Sequence, residues 1–324
     1  MSHTILVTGA AGYIGSIATE VLLQEGYNVI ALDDLSTGYK EALFNSVPFY
    51  NASIGDISRL KDVFSQNKID VVLHFAGAAL VSESMTNPFK YFNTNFCQGQ
   101  NLLDVMLLCN VNKIVFSSTC AIYGMPKPEK IPIKETTLTK PINPYGESKL
   151  LFEKALEWYK KSANLDFIAL RYFNVAGASK TRGERHNPET HLIPLVIKAA
   201  KNKNFKLSIY GTDYPTKDGT TIRDYIHVID LVYAHISAIE ALINKKNHQD
   251  AYNIGYGHGY SVLEIVNSVQ EIFQTTISLH IADRRPGDPS TLIADPRKIK
   301  EDLNWKPKYN DIKEIISSAA KFIE

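Results

Sequence analysis

Thr8-Gly9-Ala10-Ala11-Gly12-Tyr13-Ile14-Gly15 follows an apolar run, Thr4–Thr8, and opens into a helical pattern at Ser16–Glu25. Three glycines spaced GxxGxxG between a strand and a helix answer three steric demands. One allows a tight turn, one a close approach of backbone to a pyrophosphate, and one the packing of helix on sheet. The anion then lies at the positive end of the helix. Asp33 ends the next apolar run, 18 residues beyond Gly15, where a carboxylate accepts hydrogen bonds from an adenosine ribose. It repels a 2′-phosphate, so the dinucleotide expected is NAD and not NADP. Asp34 beside it joins the expected cofactor set. Asp56, in Ile54-Gly55-Asp56-Ile57, has two readings: a contact for the adenine amino group, or an acid at the start of a helix over Arg59–Asn67.

Outward from this loop, short β-branched runs alternate with amphipathic stretches. Strands are predicted at Thr4–Thr8, Asn28–Leu32, Val71–Phe75, Lys113–Ser118 and Asp166–Arg171, each apolar enough to be buried on both faces. Helices are predicted near Ser16–Glu25, Arg59–Asn67, Phe89–Cys109 and Pro144–Lys161. Repeated β-then-α units give an α/β fold, a doubly wound parallel Rossmann sheet. After about Asn174 the rhythm changes. A Gly- and charge-rich stretch, Gly177–Glu189, precedes a helix at Leu192–Lys201, a strand at Lys206–Tyr210 and a turn-rich segment, Gly211–Thr221. A helix at Ile226–Leu242, a strand at Ala251–Ile254, a helix at Val262–Phe273 and a strand at Ile277–Ala282 follow. The expected division is an NAD-binding Rossmann domain over 1–174, with part of 223–250, and a smaller C-terminal α/β substrate domain over 175–324.

Composition agrees with a globular enzyme. The 324 residues are 44% hydrophobic and 21% charged, enough to bury a large core. A net charge of +1 gives no field for a nucleic-acid or membrane-surface partner. Cys97, Cys109 and Cys120 form no CxxC pair and are odd in number, so neither disulfides nor a zinc site is expected, and no metal is assigned. The opening Met1-Ser-His-Thr-Ile-Leu-Val has no basic n-region or long apolar h-region, and no apolar stretch is long enough to span a bilayer. The expected location is cytoplasmic.

The chemistry is carried by Asn143-Pro144-Tyr145-Gly146-Glu147-Ser148-Lys149. Tyr145 and Lys149, four residues apart, share one face of a helix. A free tyrosine, with a pKa of about 10, is too weak a base at neutral pH. A nearby ammonium and a positive nicotinamide ring would both stabilise its phenolate, and Lys149 can also reach the nicotinamide ribose. Ser117-Ser118-Thr119 ends the fourth of the predicted strands. Thr119, last before the turn, is the hydroxyl expected to assist Tyr145, with Ser118 pointing away.

These motifs together resemble the extended short-chain dehydrogenase/reductase family, and within it the UDP-glucose 4-epimerases. The likeness runs over essentially the whole chain. It rests on the glycine loop, His74-Phe75-Ala76-Gly77, Ser117–Gly124, Asn143–Lys149, Leu170–Asn174, Tyr210–Val228 and Arg284–Asp288. The run DYPTKDGTTIRDYIHV within Tyr210–Val228 is the most particular of them.

The resemblance implies cofactor contacts from Gly9, Gly12, Tyr13, Ile14, Gly15, Asp33, Asp34, Asp56, Ile57, Phe75, Ala76, Gly77, Tyr145, Lys149 and Phe173. Tyr145 would be the base, with Lys149 and Thr119 assisting. Asn174 and the His191–Leu192 pair would reach the diphosphate or sugar, and Ser208 and Tyr210 would frame the uracil. Arg223 and Arg285 would hold the diphosphate, to which paired guanidinium donors are suited, with Asp288 on the uridine ribose. An ion pair of Arg223 with Asp224 is the bland alternative for that arginine.

Three positions depart from the family pattern. Ala79 stands where a lysine contacts the cofactor, Thr94 where an asparagine often does, and Leu292 where a large or a small residue governs entry of N-acetylated sugars. The implied reaction is reversible 4-epimerisation of UDP-glucose and UDP-galactose through a 4-keto sugar, in a homodimer. Other UDP-hexoses such as UDP-GlcNAc and UDP-GalNAc, UDP-pentoses, or a non-catalytic NAD sensor are the alternatives. A dehydratase is disfavoured, because Cys120 and Ala121 after Thr119 cannot shuttle a proton as carboxylates do.

Overall fold

The computed structural model describes residues 2–285 and 287–323. Pro286, inside the Arg284–Asp288 run, lies outside them, as do Met1 and Glu324 at the ends of the two expected units.

The chain begins β1 (Thr4–Thr8), α1 (Tyr13–Gln24), β2 (Asn28–Asp33), β3 (Phe49–Asn51), α2 (Ile57–Gln66) and β4 (Val71–His74). Short helices α3 (Val81–Thr86) and α4 (Pro88–Tyr91) lead through a π-helical segment, Phe92–Cys97, into α5 (Gln98–Leu108). The helix expected over Phe89–Cys109 is therefore interrupted. β5 (Lys113–Thr119), α6 (Pro144–Ala163) and β6 (Asp166–Tyr172) complete the regular alternation.

Among the described residues these strands form one sheet in the order β3-β2-β1-β4-β5-β6, with β11 (Ala251–Ile254) added beside β6. All its pairings are parallel. Strand order reverses at β1, the switch point outside which α/β sheets bind ligands. Thr8, Asp33, His74 and Thr119 all stand at strand C-terminal ends on that edge. The period of two explains the unbroken apolar strands: Ile5 and Val7 face one core, Leu6 the other. Both sides are covered by helices, so neither face tolerates polar alternation.

After β6 the chain lays down β7 (Asn174–Ala176), α7 (Leu192–Lys201), β8 (Leu207–Tyr210), β9 (Ile222–Arg223) and β10 (Tyr225–His227) before α8 (Val228–Ile243). The helix expected from Ile226 thus starts two residues later. Tyr225–His227 is extended, parallel to Asn174–Ala176, and the His227 side chain accepts from Ile229 N, capping α8. α8 packs on α1 and on the large sheet, so the chain returns to that sheet before leaving it again. β12 (Tyr260–Ser261), α9 (Val262–Phe273), β13 (Leu279–Ala282), β14 (Thr291–Leu292), α10 (Arg297–Leu303) and α11 (Ile312–Ala319) end the fold. β13 pairs with β8, and β9 is shared by β12 and β14. α9 begins at Ser261 with a reciprocal Ser261–Glu264 capping box, which satisfies two orphan amide donors.

Candidate active site

Gly9 sits at φ +71, and a Cβ there would lie 2.6 Å from Ala76 N. A Cβ at Gly15 would overlap the Gly9 carbonyl oxygen. These two glycines serve the protein's own packing. Gly12 differs: its Cβ would meet only Gly9 O, at 3.3 Å. Gly12 is the N-cap of α1, no side chain caps that helix, and its first turn holds no acid. The amide donors there are left for an anionic ligand, which fits a dinucleotide pyrophosphate. Tyr13 and Ile14 form the first turn of the same helix.

Asp33 is buried, its carboxylate accepting Ala11 N at 2.9 Å and Leu35 N at 2.8 Å. Burial raises its pKa and those two hydrogen bonds oppose the rise. It is held facing the glycine loop, as a ribose acceptor requires. Asp34 is exposed and caps Ser36 N. Asp56 is the N-cap of α2, accepting Arg59 N at 3.0 Å, the second of its two readings. Ile57, next to it, is exposed.

Past β4, Phe75, Ala76 and Gly77 run beneath the π-helical segment. Asn95 in that segment accepts Ala78 N at 2.8 Å and donates to Ala78 O and Ser148 Oγ, both at 3.0 Å. Its neighbour Thr94 is half-buried, and Ala79 is exposed. Asn95 is the residue that sequence reading missed. The available signal was an amide within a run otherwise packed on α6.

α6 starts at Pro144, capped by Asn143 Oδ1 accepting Gly146 N at 2.8 Å. A Cβ on Gly146 would come within 2.7 Å of Ala121 O, so glycine lets the helix start dock on the turn after β5. That docking brings Tyr145 up to Thr119, whose hydroxyl holds the phenol pKa down against burial. One turn on, Lys149 is 4% exposed. It donates to Ser117 O at 3.0 Å and lies 5.0 Å from the Phe116 ring centre. A Cβ on Gly77 would be 3.4 Å from Lys149 Nζ, which joins this ammonium to the cofactor-side loop.

Burial brings the Lys149 pKa down to about 8 and pushes Tyr145 up to about 12, with Thr119 acting against the rise. This corrects the expectation that Lys149 lowers the tyrosine. In the protein alone desolvation dominates, and a positive charge beside the phenol would act against it. Ser118 points to the opposite face, donating to Glu153. Glu153 pairs with Arg171, and Arg171 reaches Tyr123 OH at 3.0 Å.

On the other side, Phe173 and Leu292 share a small apolar cluster with Cys120, next in sequence to Thr119. Arg223, paired across strands with Leu292, forms an ion pair with Asp288 and donates to Ile222 O and Pro289 O at 2.7 and 2.8 Å. The Arg223–Asp224 pair does not form. Asp224 is fully buried and accepts Tyr256 N, Gly257 N and Ala294 N at 2.9 to 3.2 Å. Its carboxylate ties three loops instead.

Arg285 stacks 4.0 Å from the ring centre of Tyr210, which is 40% exposed at the end of β8. Ser208 lies two residues back on that strand. Asn174 opens β7 and donates its N–H to Asp224 O at 2.9 Å. His191 precedes Leu192 at the start of α7 but is held by Glu189 at 2.8 Å. The described contacts link it to none of the arginines.

A dinucleotide cradle with a tyrosine and a buried lysine past its fourth and fifth strands is the arrangement on which extended short-chain dehydrogenase/reductases are built. The chain belongs to the NAD dependent epimerase/dehydratase family, whose model matches residues 5–255. It is 49% identical over 318 residues to the UDP-glucose 4-epimerase of Lacticaseibacillus casei, covering 98% of this chain and 95% of that protein. The crystal structure of the Brucella ovis UDP-glucose 4-epimerase in complex with NAD is similar at TM-score 0.95 and 41% identity, over 99% of this chain and 98% of that one. The Bifidobacterium longum enzyme in complex with NAD+ and UDP gives 0.90 and 37%, over 98% and 97%.

Proposed function

We infer that this protein inverts C4 of a UDP-hexose, interconverting UDP-glucose and UDP-galactose with NAD as a resident cofactor. The observation that carries the reading is the Thr119–Tyr145–Lys149 set: Thr119 and Lys149 are buried, Tyr145 is half-buried, and Lys149 lies beside Gly77. Bound NAD supplies a hydride acceptor at C4, a donor for the return, and a positive charge that favours the Tyr145 phenolate.

Tyr145 takes the C4 hydroxyl proton as the carbinol is oxidised to a ketone, and gives it back when the ketone is reduced from its other face. No net oxidation results. Thr119 holds the phenol and hydrogen-bonds the C4 oxygen in both halves. Lys149, fixed on Ser117 O, orients the cofactor ribose. Presenting both sugar faces needs a loosely held hexose and a firmly held diphosphate. Arg223 and Arg285 serve as the diphosphate anchors, Tyr210 and Ser208 as the uracil frame, and Asn174, Leu192 and the backbone at His191 as the linking contacts.

Residues 1–174 with 225–254 form the cofactor unit in this reading, and the remainder forms the substrate unit. A homodimer through α5 and α6 is part of this reading. Sedimentation at the monomer mass would contradict that. No helix of the described residues is long and apolar enough to cross a membrane.

Purified protein incubated with UDP-galactose and no added cofactor should form UDP-glucose, read by anion-exchange chromatography. A folded, NAD-containing protein that leaves UDP-galactose unchanged would overturn the reading.

A further inference from the structure

The segment between β7 and α7 passes back over the glycine loop and is tied to it. Tyr13 OH donates to Gly177 O at 2.6 Å, and Ser179 donates to Glu20 of α1. Arg182 Nε donates to Ala42 O at 2.8 Å, and its guanidinium lies 3.6 Å from the Phe44 ring centre. On this strap, Glu184, His186 and His191 converge. Each offers one ligand atom, and those atoms all lie within 4.8 Å of one another.

Glu184 bonds the Nδ1 of His186 with one oxygen and places the other 4.0 Å from Nδ1 of His191. Glu189 Oε1 is 2.8 Å from the same His191 nitrogen, and the two imidazole centres are 5.2 Å apart. The backbone fixes these carboxylates. Glu184 accepts Arg185 N at 3.0 Å and His186 N at 3.2 Å, while Glu189 accepts Thr190 N and His191 N, both at 2.7 Å. Glu184 is only 9% exposed, so the central carboxylate is largely withdrawn from water.

Two carboxylates facing two imidazoles form a cluster that is anionic whenever the imidazoles are neutral. We propose that Glu184, His186 and His191 bind one divalent transition-metal ion of the zinc type, with Glu189 orienting His191. Imidazole donors select zinc, nickel, copper or cobalt over magnesium and calcium. Tetrahedral zinc with bonds of about 2.0–2.2 Å sets ligand atoms about 3.4 Å apart, so closure needs movements of about 1 Å. Glu189 on Nδ1 of His191 leaves Nε2 of that ring as the ligand atom, the arrangement in which a carboxylate supports a ligating ring. The ion would join the two ends of the 184–191 segment and fasten the strap over the cofactor loop. This site stands on the chain's own geometry, whatever sugar the enzyme uses.

The test is calorimetric titration of untagged, full-length holoprotein with Zn2+, with Co2+ substitution read by visible absorption. The expected result is one ion per chain, a tetrahedral Co2+ spectrum, and a melting temperature that rises with Zn2+ because the ion binds only the folded state. Loss of a second-shell partner alone costs metal sites 10- to 100-fold in affinity, so His186→Ala and His191→Ala should each weaken binding by about 100-fold or more. His280→Ala, on an exposed strand away from the strap, should leave it unchanged. Should either alanine variant fail to fold, His186→Gln and His191→Asn replace it. Absence of binding, an octahedral Co2+ spectrum, or affinity unaltered by the cluster substitutions would overturn the proposal.

Discussion

Around the glycine loop, positions are held by the backbone: Gly9 and Gly15 permit contacts that any side chain would close, and Asp33 is locked by two amides. Around Arg223 and Arg285, by contrast, side chains hold one another. Arg223 is taken up by Asp288, and Arg285 lies on Tyr210. The cofactor side is therefore preformed, while on the proposed substrate side the arginines would exchange partners if they take a diphosphate. Such exchange costs binding energy on the nucleotide side and leaves the hexose free to turn. A cofactor that stays and a substrate that comes and goes make these different demands.

Three substitutions would break or sharpen that contrast. The largest effect is expected at Tyr145, where the preformed side meets the chemistry. Tyr145→Phe should lower turnover by about 10²- to 10⁴-fold, the contribution of a positioned general base. NAD absorbance after gel filtration should be unaltered. Retained activity would show that another group moves the proton.

Lys149 tests whether preformation has an energetic cost. Its charge is buried, and burial is the one influence found on it, lowering its pKa from 10.5 to about 8. A lysine with a depressed folded pKa destabilises the fold fully below that pKa. The penalty is relieved as pH rises from about 8 to 10.5, where the unfolded chain holds the extra proton. Lys149→Met should therefore be more stable than the native protein at pH 7, by up to about 3 kcal/mol, although impaired in turnover. The two should converge by about pH 10.5 in denaturant titrations. A stability gap independent of pH would contradict a buried ammonium here.

The smallest effect belongs to the exchangeable side. Arg223→Ala removes a charged hydrogen-bond donor set worth about 1.5–3 kcal/mol. KM for UDP-galactose should rise about 10- to 100-fold with kcat nearly unchanged, since the diphosphate is gripped equally in the ground and transition states. An unchanged KM would mean that Arg223 serves only Asp288.

What could be read from the chain was local. The glycine spacing, Asp33, and Tyr145 four residues before Lys149 are short-range patterns whose reasons are steric or helical. α7 and α9 begin and end where their apolar periodicity places them. Short elements were not legible. β3, β7, β9, β10, β12 and β14 have two or three residues each, too few to show a period, and exist because a neighbouring strand supplies their hydrogen bonds. The π-helical break at Phe92–Cys97 left no mark either, since its residues suit an ordinary helix.

The sequence by itself determined the glycine loop, the acid that ends the second strand, and the Tyr–Lys pair, because backbone sterics and helical spacing act over a few residues. Only the tertiary structure decided which charges meet. Arg223 took Asp288, 65 residues away, in place of the adjacent Asp224, because Asp224 is occupied by three backbone amides. Folding likewise raised Tyr145 and lowered Lys149, since desolvation depends on everything packed around a group and on nothing written beside it. The Glu184–His186–His191 cluster arises the same way, where a loop with no evident pattern closes on itself above the first helix.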